Sequence, residues 1–180
     1  IWCSIDIRRA ACEMVSLLLR AGHTRIATWG RLQTFRLDQE KLAGYRDAFA
    51  QAGMAVPEDL VFDDEIIGEL DGFVPALFAT DKRPSAWFGM TDEYAMRLAK
   101  VVRELGFRIP EDLSVVGMDD NEASHLFHPP LSTVRIPFSR AGVVAVDLLM
   151  RLIDNPDQTA GHVLLAHELV HRESDIPHRS

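Results

Sequence analysis

The chain has 180 residues, which allows one domain or two small lobes, and 47% of them are hydrophobic, as in a globular core. Lysine and arginine number 19 against 27 aspartates and glutamates, so the formal net charge is −8. An acidic chain repels the phosphates of duplex DNA, and no basic patch stands out in the sequence. The composition therefore argues against a DNA-binding surface on this chain.

The sequence also argues against membrane, metal and cofactor functions. No apolar run approaches the ~20 residues that a membrane-spanning helix needs. Two cysteines, Cys3 and Cys12, lack the spacing of a zinc site and favour free thiols in a reducing cytoplasm. The closest histidine pairs have no third ligand at a known spacing, and phosphate-binding glycine motifs are missing. We therefore expect no metal, no cofactor and no membrane partner.

Apolar periodicity and helix-end residues predict that strands and helices alternate along the chain. The predicted strands cover residues 1–5, 25–29, 60–62, 85–90, 113–118 and 131–136, and an extended segment covers 162–170. The predicted helices cover residues 7–21, 36–52, 66–80, 91–105, 123–127 and 139–153. Asp6 is the expected N-cap of the first helix, and Thr91 or Asp92 is that of the fourth. Helix capping is the favoured role of Asp92 over ligand binding.

The predicted strands are continuously apolar, which indicates a parallel α/β sheet covered on both faces. Ligands of such sheets bind at the carboxyl ends of the strands. Carboxylates follow several of these ends, notably at 63–64, at Asp92 and at Asp119–Asp120. They could accept hydrogen bonds from a polyol, act as a catalytic pair, or cap helices. Capping explains Asp119 least well, because Asp120 can cap the next helix instead.

Six stretches, in this order and spacing, resemble a known family. They are LLRAGHTRIA at 18–27, LAGYRDAF at 42–49, SAWFGMTDEYAM at 85–96, LGFRIPEDLSVVGMDD at 105–120, PPLSTVRIP at 129–137 and ELVHRES at 168–174. Together they resemble the effector-binding domain of LacI/GalR-type bacterial transcriptional regulators.

The resemblance implies a periplasmic-binding-protein-like α/β fold of two lobes, with parallel sheets flanked by helices and the ligand between the lobes. We expect one complete lobe and part of the other. Residues 1–23 and 132–160 are assigned to the N-terminal lobe, and 24–131 and 161–180 to the C-terminal lobe. The resemblance further implies a homodimer through Met96 and Phe127. Operator DNA would bind only through an N-terminal headpiece that this chain is expected to lack.

The family's ligand positions fall on Arg9, Phe35, Lys41, Thr91 and Asp119. The aspartate agrees with the family pattern. Lys41 stands where the family has an arginine, which would form two hydrogen bonds to ligand hydroxyls or carboxylates. Thr91 replaces an asparagine, and Phe35 replaces a polar residue. Leu37 is apolar at another polar position. We hypothesise that an aromatic or apolar part of the ligand stacks on Phe35.

The resemblance favours a cytoplasmic effector sensor that performs no chemistry and that controls operator binding by closing its lobes on a small molecule such as a sugar. Two alternatives remain. A periplasmic sugar-binding protein of a transport system has the same fold. An enzyme could use Asp119 and Asp120 as paired carboxylates, although adjacent aspartates point apart in most backbones.

Overall fold

The computed structural model describes residues 2–64, 70–155 and 161–176. The strands are β1 Trp2–Ile5, β2 Ile26–Gly30, β3 Val61–Asp63, β4 Ala86–Gly89, β5 Ser114–Val116, β6 Thr133–Arg135, β7 His162–Leu165 and β8 Glu168–Val170. The helices are α1 Ile7–Arg20, α2 Arg36–Gln51, α3 Leu70–Phe78, α4 Asp92–Glu104, α5 Glu122–Leu126 and α6 Phe138–Asp154. The predicted start of the third helix, at 66, lies outside the described residues.

A four-stranded parallel sheet in the order β3-β2-β4-β5 forms the centre of the fold. Every residue of β2 and β4 is buried, because helices cover both faces of these strands. The predicted parallel α/β fold is therefore confirmed. The extended segment predicted at 162–170 divides into two strands that join different sheets. Strand β7 pairs in parallel with β1, whereas β8 pairs antiparallel with β6.

Helices α1 and α2 pack closely because Gly44 has no side chain at their contact. A Cβ atom on Gly44 would come 2.1 Å from the backbone oxygen of Arg8. The same arginine donates to both carboxylate oxygens of Asp47, at 2.5 and 2.7 Å. This packing attaches α1 to the helices of the central sheet. The lobe boundaries predicted from the sequence stay a prediction.

Helix α6 packs beside β1 and has no buried residue. One of its faces presents large apolar side chains to solvent: Phe138, Val143, Val146, Leu149, Met150 and Ile153. None of the helices in the described part of the chain is long and apolar enough to span a bilayer.

Three helices begin at residues whose side chains accept a backbone hydrogen bond. Asp6 accepts from Arg9 N at 2.9 Å, as predicted, and Asn121 accepts from Ser124 N at 3.0 Å. Thr91 caps α4 through Tyr94 N, at 3.2 Å. Of the two residues predicted to cap α4, Thr91 is therefore the cap. Asp92 lies one residue inside α4, so its predicted capping role is wrong, and Asn121 rather than Asp120 caps α5.

We expect Gly44→Ala to lower the free energy of unfolding by about 1–3 kcal/mol, because the new methyl group meets a fixed backbone oxygen and separates α1 from α2. Gly142→Ala in α6 is the matched control. Its Cβ would meet nothing within 4 Å, so we expect a gain of roughly 0.5–1 kcal/mol from helix propensity. Urea unfolding of both variants measures the difference. Equal stabilisation of both would contradict the packing described here.

Candidate functional site

The carboxyl edge of the central sheet brings α2 against the ends of β4 and β5. Lys41, on the first half of α2, is only 5% exposed. Its Nζ atom donates to the backbone oxygen of Met90, at 2.5 Å, just beyond the end of β4. The ammonium group therefore lies under the surface of this edge, joined to the strand end by one hydrogen bond.

Asp38 lies one helical turn before Lys41 and is also buried. Its Oδ2 atom accepts from the backbone N–H of Arg31 at 2.8 Å, which fixes the loop after β2. Its Oδ1 atom accepts no hydrogen bond and lies 3.8 Å from Lys41 Nζ. The two side chains form a buried ion pair in which one carboxylate oxygen is not hydrogen-bonded.

Asp119 follows β5 and is half-buried beside this pair. Its backbone has φ +127°, and its N–H donates to the oxygen of Val134 at 2.9 Å. Its carboxylate accepts no hydrogen bond from the described residues. Burial raises the pKa of Asp119 to about 6, opposed by Lys41 and reinforced by the charges of Asp92 and Asp38. The edge thus carries a carboxylate that titrates near neutral pH.

Thr91 and Asp92 follow β4 at the same edge and have different roles. Thr91 is half-buried, and its hydroxyl, which caps α4, can still donate outward. Asp92 is fully buried, and its carboxylate accepts from Thr133 Oγ1 at 2.5 Å and from Asn121 N at 2.9 Å. Burial raises the pKa of Asp92, and these two hydrogen bonds oppose the rise. Asp92 therefore joins three segments instead of facing a ligand.

Phe35 borders a cavity of about 450 Å³ between the start of α2 and the end of β1. Asp6 and Leu37 line the same cavity. Phe35 is 36% exposed, and the Arg31 guanidinium carbon lies 4.6 Å from the centre of its ring. This position presents an aromatic surface to the cavity, as the stacking hypothesis requires.

Arg9 lines a different cavity, of about 250 Å³, which also includes Asp6. Its Nε atom donates to Glu13 at 2.8 Å, and Glu13 also contacts His167 Nε2 at 2.9 Å. Among the predicted ligand residues, the structure therefore brings Lys41 and Asp119 together. It places Phe35 and Arg9 on two separate cavities, and Asp6 lines both of them.

Met96 and Phe127, predicted at a dimer interface, are half-buried and pack against the core. The neighbouring Leu126 is 81% exposed. No group of three metal-ligating side chains occurs among the residues that the structure describes.

Sequence reasoning missed Asp38 and the partners of Asp120. Asp38 stands three residues before Lys41, a spacing that places both on one helix face, and this signal was available. Asp120 accepts from Arg135 Nε at 2.6 Å and from Arg172 Nη2. Both arginines lie in stretches used for the family resemblance, but no local spacing connects them to Asp120.

Comparisons with known proteins agree with this fold. Residues 15–174 match the family described as periplasmic binding protein-like domain. The repressor PurR of Vibrio cholerae is 35% identical over 156 residues, covering 85% of this chain and 46% of the relative. The ribose operon repressor of Haemophilus influenzae is 33% identical over 164 residues, covering 87% and 48%. The chain thus spans about half the length of these curated relatives.

Solved structures give the same result. A LacI-family regulatory protein from Chloroflexus aggregans has a TM-score of 0.87 and 28% identity, covering 98% of this chain and 64% of that one. The transcriptional regulator CelR in complex with cellobiose has a TM-score of 0.83 and 30% identity, covering 96% and 53%. The predicted resemblance is confirmed. The chain belongs to the periplasmic binding protein-like domain family, in the branch that forms the effector-binding domains of LacI-type transcriptional regulators.

Proposed function

We propose that this chain is the effector-sensing and dimerisation part of a LacI-type transcriptional regulator and that it binds a small molecule such as a sugar. The observation that carries the proposal is the carboxylate of Asp119. It lies at the carboxyl edge of a parallel sheet, where such folds bind ligands, and the described residues donate no hydrogen bond to it. Curated relatives named as repressors support the regulatory role.

The chemistry of this edge favours a ligand with hydroxyl groups and an apolar part. An ionised carboxylate only accepts hydrogen bonds, so Asp119 requires a donor such as a ligand hydroxyl. The Thr91 hydroxyl can add a donor or an acceptor. Phe35 and Leu37 are exposed apolar surface near the start of α2. An aryl or alkyl glycoside has both features.

Lys41 acts in this proposal through Asp119 and not by direct contact. Its ammonium group is buried and bound to Met90 O, and its charge favours the ionised form of Asp119. The role of Arg9 also stays a proposal. It requires the ligand to extend past Asp6 into the second cavity, or the two cavities to join when the lobes close.

Regulation would follow from a population shift. A ligand that binds the closed form better shifts the lobes towards closure, and the closure changes the geometry of the dimer. We place the dimer contact at Met96 and Phe127. Operator DNA would bind to a segment outside this chain, in the cytoplasm, because a chain with a net charge of −8 repels phosphates overall.

The two alternatives receive less support. A periplasmic transport protein has this fold, but the curated relatives cited above are regulators. A catalytic pair of Asp119 and Asp120 requires a free second carboxylate. Burial would raise the pKa of Asp120, but Arg172 and Arg135 outweigh it and hold that pKa below its usual value. A carboxylate bound by two guanidinium groups is a poor proton donor.

We expect a panel of D-ribose, D-cellobiose and phenyl β-D-glucoside to contain a ligand detectable by titration calorimetry. Asp119→Asn should weaken its binding by about 10- to 100-fold, because a charge-assisted hydrogen bond is lost. Asp147→Asn, which removes an exposed ion pair on α6, is the matched control and should bind normally. Unchanged binding by Asp119→Asn, or detectable sugar turnover, would count against the proposal.

The Phe35 hypothesis has its own test. We expect phenyl β-D-glucoside to bind the wild-type chain more tightly than D-glucose, because an aryl group gains apolar contact with the exposed ring. In Phe35→Ala, the affinities for phenyl β-D-glucoside and D-glucose should differ by no more than about threefold. An ordinary hexose that binds as tightly as the aryl glycoside would contradict the hypothesis.

Binding should weaken on acidification. Ligand hydroxyls bind the ionised form of Asp119, whose pKa is about 6, so protonation competes with binding below that pH. The affinity should therefore be close to its maximum at about pH 7.5, where Asp119 is almost fully ionised. It should be about tenfold lower at about pH 5, where only about a tenth of Asp119 is ionised. Calorimetry at both pH values with phenyl β-D-glucoside measures this change. The residual binding of Asp119→Asn should lose most of the pH dependence.

A further inference from the structure

We propose that Arg172 is a positioning residue that fixes the turn carrying Asp119, acting through the neighbouring carboxylate of Asp120. The proposal rests on the ligand-binding role proposed above for Asp119. Arg172 itself lies two residues beyond β8, near the far end of the sequence, and contacts no proposed ligand group.

The turn after β5 has an unusual backbone. Asp119 has φ +127° and Asp120 has φ +56°, both in the region that residues with a Cβ atom avoid. Two such residues in succession persist only where the surrounding structure holds them. The question is which contacts hold this turn, because they determine where the Asp119 carboxylate points.

Arg172 makes the most buried of these contacts. Its Nη2 atom donates to Asp120 Oδ1, and its Nη1 atom donates to the backbone oxygen of Leu131 at 2.6 Å and to Ser124 Oγ at 3.1 Å. Its own N–H donates to Ser132 Oγ at 2.8 Å. Both the backbone and the guanidinium of Arg172 are therefore held by hydrogen bonds. The guanidinium joins the turn to α5 and to the segment before β6.

The second arginine is a weaker anchor. Arg135 Nε donates to Asp120 Oδ2 at 2.6 Å, but its side chain is 46% exposed and also contacts Glu168, whereas Arg172 is 11% exposed. Water and salt screen the exposed pair more strongly than the buried one. The planar fork of Arg172 is thus the contact on which the conformation of Asp120 mainly depends.

Other contacts fix the flanks of the turn but not its charged centre. Asp92 accepts from Asn121 N on one side, and Asp119 N donates to Val134 O on the other. Without Arg172, the almost buried Asp120 carboxylate would keep only Arg135, which is 46% exposed, the long contact from Ser124 Oγ at 3.4 Å and the exposed His125 ring, whose Nε2 lies 3.3 Å from Asp120 Oδ1. We therefore expect the turn to relax outward and to expose Asp119 to water.

The test is a ligand-free titration of Asp119 by carboxyl ¹³C NMR in Arg172→Met. The charged groups facing Asp119 are Lys41, Asp92 and Asp38, and none is changed. A relaxed turn loses the burial that raises the pKa of Asp119, so we expect that pKa to fall from about 6 by about one unit or more.

The direction of the change separates positioning from simple electrostatics. Loss of a nearby positive charge alone would raise the pKa of Asp119, whereas relaxation lowers it. Arg108→Met, which removes an exposed bidentate pair with Asp112, is the matched control and should leave Asp119 unchanged. A folded Arg172→Met protein in which the pKa of Asp119 stays or rises overturns the proposal.

Arg172→Lys keeps the test decisive if the methionine variant does not fold. Lysine retains the charge but has no planar fork that binds Asp120 and Leu131 O together. We expect an intermediate fall in the pKa of Asp119, and a wild-type value in this variant would refute positioning by the fork. Because these titrations contain no ligand, they do not depend on effector binding. Failure of the sugar panel to bind wild-type protein would count against the proposed function alone.

Discussion

The buried carboxylate of Asp92 joins the segments on which the carboxyl edge of the sheet depends. Its two oxygens accept hydrogen bonds from Thr133 Oγ1 and Asn121 N, and its own N–H donates to Met118 O. The start of α4, the turn after β5 and strand β6 are thereby held together. The close approach also requires Gly117, since a Cβ there would come 2.3 Å from Asp92 Oδ1. A buried carboxyl group whose two oxygens both accept hydrogen bonds is costly to disturb, so these contacts hold the edge in place.

Most of the fold could be predicted because its causes are local. Continuous apolar runs produced β2 and β4, which are buried throughout, and glycines such as Gly22 and Gly106 end helices with positive φ. Asp6 caps α1 as a simple spacing rule requires. The prediction of one extended segment at 162–170 was incomplete because the structure there depends on distant contacts. Its division into β7 and β8 depends on which distant strand each half contacts, and no pattern inside the segment records that.

The errors at the site share a physical cause. Thr91 and Asp92 are both good N-cap residues, and the spacing rule cannot decide between them. The role of Asp92 is determined by Thr133, which lies 41 residues away in the sequence and donates a buried hydrogen bond to the Asp92 carboxylate. Asp120 likewise does not cap α5 as expected, because its carboxylate binds Arg172, which lies 52 residues away in the sequence. Polar residues at strand ends obtain their roles from tertiary partners, so the sequence predicts where they cluster but not what each one does.

The distribution of hydrogen-bond donors at this edge explains why Asp119 is suited to binding. Asp92 uses a hydroxyl and a backbone N–H, and Asp120 uses two guanidinium groups. Lys41 donates to Met90 O instead of to a carboxylate. Asp119 is therefore left half-buried with no donor from the described residues, and its pKa is raised because its ionised form is poorly solvated. A ligand hydroxyl that reaches Asp119 supplies the missing hydrogen bond. The contacts that hold the turn rigid thus use the nearby donors and leave Asp119 without one. A ligand that donates a hydrogen bond to Asp119 therefore gains binding free energy.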